Sequence, residues 1–250
     1  MFAKRTDFKI EVCANSVNSV LAAREAGADR VELCAGMPEG GTTPSYGCIM
    51  EACAVEGIQV NVIVRPRGGD FLYDAVEKKE MLRDIRMIRE SGAQGVVCGM
   101  LRADGSIDEE FLRQCIQEAA PLPVTFHRAF DRCADPMKAL SVLEDCGVTR
   151  LLTSGQRSDA LQGADLIARL VQASQNIIVM PGCGVSSQNI ALIAQKTGAV
   201  EFHLSGRVRR ESRMVFRHPE FEREEPVRID GYAHQISGVE KIRSAVAALL

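Results

Sequence analysis

Glu11-Val12-Cys13 and Glu32-Leu33-Cys34 repeat one pattern at the ends of two short β-rich runs, Phe8 to Cys13 and Arg30 to Cys34. Residues two apart share a face of a strand, so Val12 and Leu33 suit packing under helices while the glutamates and cysteines point the other way. Six further runs follow: Gln59 to Val64, Gly95 to Gly99, Val124 to His127, Arg150 to Thr153, Ile177 to Met180 and Val200 to Ser205. Amphipathic stretches alternate with them at Val17 to Ala26, Tyr46 to Glu56, Glu77 to Ser91, Asp108 to Ala119, Pro136 to Cys146, Ala160 to Ala173 and Ser187 to Lys196. Asp135-Pro136 and Thr43-Pro44-Ser45 read as helix starts, and Gly27, Gly92, Gly147 and Gly198 fall where left-handed caps are needed. Strict alternation favours a parallel sheet, and eight units favour closure into a single-domain (β/α)₈ TIM barrel over an open doubly wound sheet. Arg207 to Gln235 then reads as a charged loop, a solvated excursion or a lid, and Val239 to Leu250 as the closing helix.

The 250 residues fit one barrel domain, and 46% hydrophobic with 25% charged residues is ordinary globular composition. A net charge of −3 argues against a nucleic-acid or anionic-membrane surface. No signal-peptide pattern opens the chain and no apolar run approaches a membrane span, so a soluble cytoplasmic protein is expected. Nine scattered cysteines without a Cys-x-x-Cys pair indicate reduced thiols rather than a disulfide framework or a structural zinc site.

Polar residues gather at the C-terminal strand ends, where barrels place their chemistry. Glu11 and Cys13, Glu32 and Cys34 are joined there by Arg65, Arg67 and Asp70 after the third strand. His127, Arg128 and Asp131 follow the fifth, Thr153 and Ser154 the sixth, Gly182 and Gly184 the seventh, and His203 and Ser205 the eighth. The glycines and Ser205-Gly206-Arg207 are placed for phosphate binding, or simply to turn the chain. Two accounts of the charges compete. Glu11 and Glu32 pair with Arg65 and Arg67 as a structural ion network, or the arginines bind an anionic substrate while His127, tuned by Asp131 or a glutamate, transfers protons with Glu11 or Glu32 as second acid/base.

Five stretches resemble the CutC copper homeostasis family: Ala28 to Cys34, Glu39 to Ser45, Arg65 to Phe71, Val124 to Asp131 and Leu152 to Gly155. The resemblance implies a (β/α)₈ barrel, a cytoplasmic homo-oligomer (dimer or tetramer), a role in copper handling, and Cu(I) at Cys13 and Cys34. Soft thiolates suit monovalent copper, and two can hold it in near-linear geometry. The expected partner is therefore a copper ion, or, if the chain is an enzyme, a phosphate- or carboxylate-bearing small molecule.

Overall fold

The computed structural model describes residues 2–217 and 230–250. Eight parallel strands form the barrel wall: β1 (Lys9–Ala14), β2 (Arg30–Leu33), β3 (Gln59–Ile63), β4 (Gly95–Cys98), β5 (Val124–Phe126), β6 (Arg150–Thr153), β7 (Ile178–Pro181) and β8 (Glu201–Leu204). Each pairs with its sequence neighbour and β1 pairs with β8, so the order runs around a circle. β7 and β8 lie side by side without a shared ladder, leaving the barrel nearly closed.

Helices α1 (Val17–Glu25), α2 (Tyr46–Cys53), α3 (Ala75–Glu90), α4 (Glu109–Ala119), α5 (Pro136–Cys146), α6 (Ala164–Ala173), α7 (Ile190–Thr197) and α8 (Val239–Ala247) complete the units. Their ends follow the expected punctuation. Asp135 accepts from the N–H groups of Met137 and Lys138 with Pro136 in the first turn, and Gly147 closes α5 in the left-handed region. Ser45 caps α2 through Cys48 N–H.

The outward faces of the strands, Val12, Leu33, Val62 and Phe126 among them, are fully buried beneath the helices and make the main core. Inside, two layers differ in kind. Towards the N-terminal strand ends Arg30 ties Glu11 to Glu201, and Arg150 joins the same Glu201 oxygen at 2.9 Å. Above it Cys34, Ile63 and Val97 pack with Cys13 and Met37.

One expected loop is corrected. Arg207 to Gln235 begins and ends in an antiparallel hairpin, β9 (Arg207–Glu211) with β10 (Ala233–Ser237), in which Val208 faces Ile236. The charged strands hid this because each carries so little apolar surface that no alternation stands out. The part of that stretch at 218–229, and with it the lid, lies outside the described residues.

Candidate functional site

Strand register builds the floor of the site. Glu11 on β1 lies opposite His203 on β8, and Cys13 lies opposite Glu32 on β2. All four point inward, so the parity of the sequence becomes one cluster. His203 Nδ1 sits 2.9 Å from Glu11 Oε1, and its Nε2 is 3.6 Å from Glu32 Oε2. Donor atoms of Cys13, Glu32 and His203 lie within 4.8 Å of one another, and Cys34 Sγ is 3.9 Å from Cys13 Sγ.

The electrostatics follow from burial and pairing. Burial alone would raise Glu11, but Arg30 and then His203 outweigh it and hold the carboxyl at about 2. Burial pushes Glu32 up to about 8, with Cys13 and Glu11 adding repulsion against the attraction of His203. For His203, burial is overcome by its bonds to Cys13 and Glu11, which raise it well above an ordinary imidazole. The hydrogen bond with Cys34, opposed by burial and aided by His203, makes Cys13 the thiol that ionises first; Cys34, fully buried behind it, is held protonated.

A cavity of about 570 Å³ opens over this floor, with Cys13, Glu32 and His203 on one side and Arg65, Phe71 and His127 also lining it. Arg128, Asp131, Gly184 and Ser205 line it too. Other expected residues sit elsewhere. Glu11 and Cys34 lie beneath and behind the lining. Arg67 and Asp70 bond each other at 3.1 Å, with Arg67 also bonding Glu77, and neither lines the cavity. Thr153 and Ser154 serve Asp131, whose oxygens accept from Thr153 Oγ1 at 2.6 Å, Ser154 Oγ at 2.9 Å and Arg128 Nε at 2.7 Å. Gly182 is a packing position, because a Cβ there would meet Leu152 Cδ1 at 2.4 Å and His203 Cβ at 3.3 Å.

The expected ion network is rewired. Glu11 pairs with Arg30, not with Arg65 or Arg67. The guanidinium of Arg65 instead donates to the carbonyls of Glu39, Gly41 and Gly69 at 2.8, 2.9 and 3.0 Å. Nor does Asp131 tune His127, whose Nδ1 accepts from Ala129 N–H at 3.2 Å. Burial, with Arg65 beside it, depresses that imidazole to about 3. Arg30 and Glu201 were legible in principle, since each stands two residues before an inward-facing glutamate or histidine.

The sequence model of the CutC family matches residues 8–208. A CutC family protein of Bacteroides thetaiotaomicron is 48% identical over 244 residues, spanning 97% of this chain and 98% of its own. A human protein named copper homeostasis protein cutC homolog is 46% identical over 238 residues, or 95% of this chain and 87% of its own. Among solved structures, a CutC protein from Streptococcus agalactiae superimposes with a TM-score of 0.76 at 35% identity, over 79% of this chain and 98% of that one. With its barrel, its inward Glu-x-Cys pairs and these relatives, the chain belongs to the CutC family.

Proposed function

We propose that this protein binds copper(I) at Cys13 and Cys34, with His203 as a third donor, and serves copper handling in a reducing compartment, the cytoplasm. The observation that carries this reading is the meeting of the two thiols with an imidazole whose other nitrogen is fixed by Glu11. A carboxylate on one ring nitrogen is the usual support of a metal-ligating histidine, since it orients the ring and aims the other nitrogen, which releases its proton when the metal binds.

The thiol spacing refines the expected coordination. Linear binding with metal–sulfur bonds of about 2.3 Å would set the sulfurs about 4.6 Å apart. They stand 3.9 Å apart, which suits a bent pair with a further donor on the open side, where His203 Nε2 and Glu32 lie. Soft sulfur with imidazole favours copper(I) over hard cations. All nine cysteines are free thiols, in keeping with a reducing setting, and no helix among the described residues is long and apolar enough to cross a membrane. The human relative's name, copper homeostasis protein, supports the same reading.

The test is a competition titration of the reduced protein with copper(I) and a chelator, beside the Cys13→Ser/Cys34→Ser variant. Loss of both ligands should cost more than the roughly 10–100-fold that removal of an outer partner costs. Equal affinity in the two proteins would remove copper from these residues. The enzymatic alternative draws on Arg65 and His127. Because His127 is held neutral by burial and the neighbouring Arg65 charge, what those two residues favour is binding of an anion rather than proton transfer.

A further inference from the structure

We propose that Arg65, His127 and Arg132 form a second site in the cavity, for a small organic acid whose carboxylate faces Arg65 and whose oxygen accepts from His127 Nε2–H. This site stands independently of copper.

Arg65 is 5% exposed, and no carboxylate lies within ion-pair distance of it among the described residues. Buried charges are tolerated when paired, and a guanidinium neutralised only by carbonyl dipoles retains most of its field. The chain does not lack acids to offer. Glu39 gives Arg65 its backbone oxygen while turning a carboxylate oxygen to Gly68 N–H at 3.2 Å, so a protein carboxylate is near and does not pair.

His127 supplies the second observation. It is 4% exposed, and its Nδ1 accepts from a backbone N–H, so its proton resides on Nε2. That Nε2 is buried and has no acceptor among the described residues, although the ring lines the cavity. An unmatched buried donor destabilises the protein that carries it, and a ligand oxygen that accepts from it removes that cost. A neutral imidazole fixed as a donor towards a carbonyl is also a known device for polarising oxo groups.

Phe71 binds the set together. Its ring lies 5.0 Å from the Arg65 guanidinium, 5.0 Å from the His127 ring and 5.4 Å from the Arg132 guanidinium. Arg132 is exposed, lines the cavity and has no ion pair among the described residues, whereas Arg128 is committed to Asp131. The apolar lining at Ile63, Leu152 and Val185 suits a short carbon body. The number of free donors decides the class of anion. Arg65 already spends three of its five N–H groups on carbonyls, and its unpartnered Nε–H with one terminal N–H leaves donors for a single carboxylate rather than for the three oxygens of a phosphate. One carboxylate with an adjacent oxo or hydroxy oxygen matches what remains.

Calorimetric titration of metal-free protein with pyruvate, lactate and malate, and with inorganic phosphate, tests this. At least one of the acids should bind the wild type, bind the Cys13→Ser/Cys34→Ser variant equally, and bind His127→Phe and Arg132→Gln about tenfold more weakly or not at all. Thermal melts of the variants establish that they are folded, and Arg132→Gln, at an exposed position, keeps the test valid if His127→Phe is not. Absence of binding by all three acids, tighter binding of phosphate, loss of binding in the thiol variant, or undiminished affinity in folded Arg132→Gln would each overturn the proposal. Retained acid binding in a thiol variant that has also kept its copper affinity would refute the copper reading alone.

Discussion

Arg30→Met is the perturbation that most severely probes the barrel interior. Arg30 is 3% exposed and joins Glu11 to Glu201, at 2.7 Å for the latter. Methionine leaves Glu201 with Arg150, but Glu11, 1% exposed, keeps only His203. Removing one partner of a buried pair costs about 3–5 kcal/mol, because the other charge stays buried. The pKa of Glu11 gives an independent measure. Holding it at about 2 rather than 4.5 is worth about 3 kcal/mol. Burial opposes and both Arg30 and His203 contribute, so the lower end of the range is expected. In a chain of this length the loss corresponds to a drop in Tm of about 6–20 °C. Urea denaturation at pH 7 measures it, with Glu11→Gln/Arg30→Met as the comparison that removes both charges and should recover part of the loss. A single variant destabilised by under about 1 kcal/mol, or a double variant as unstable as the sum of its singles, would refute the pairing argument.

Gly99→Ala places a methyl 2.4 Å from His127 Nδ1 and 2.9 Å from Ala129 Cβ, so it should destabilise by about 1–3 kcal/mol and weaken organic-acid binding; denaturation and titration read the two effects. His127 contributes stability that is present above its unfolded pKa of 6.5 and is lost as pH falls towards about 3, because the unfolded chain binds the extra proton. The wild type should therefore lose stability across that window, and His127→Phe should show a flatter profile; parallel profiles would contradict the buried neutral imidazole.

Much of the floor of the site was legible because a strand's period of two admits no compromise: once Val12 and Leu33 belong to the helices, Glu11, Cys13, Glu32 and Cys34 must face inward. Parity names a face, however, and not a partner. Which arginine meets Glu11 is set by register across β1 and β2, where Glu11 lies opposite Arg30, and the sequence of one strand does not contain that offset. Arg65 and Arg67 show the other limit. Both follow β3, beyond the pleat, so their shared parity did not stop one from turning into the cavity and the other towards Glu77 at the head of α3. The hairpin of β9 and β10 was missed because polar residues dominate both of its strands.

X-ray absorption of the protein loaded with one equivalent of copper(I) tests the central claim most directly. The arrangement of Cys13, Cys34 and His203 predicts two sulfur scatterers and one imidazole around the metal, with both sulfurs lost in the Cys13→Ser/Cys34→Ser variant. A spectrum of nitrogen and oxygen ligands alone, or one unchanged by the double substitution, would contradict it.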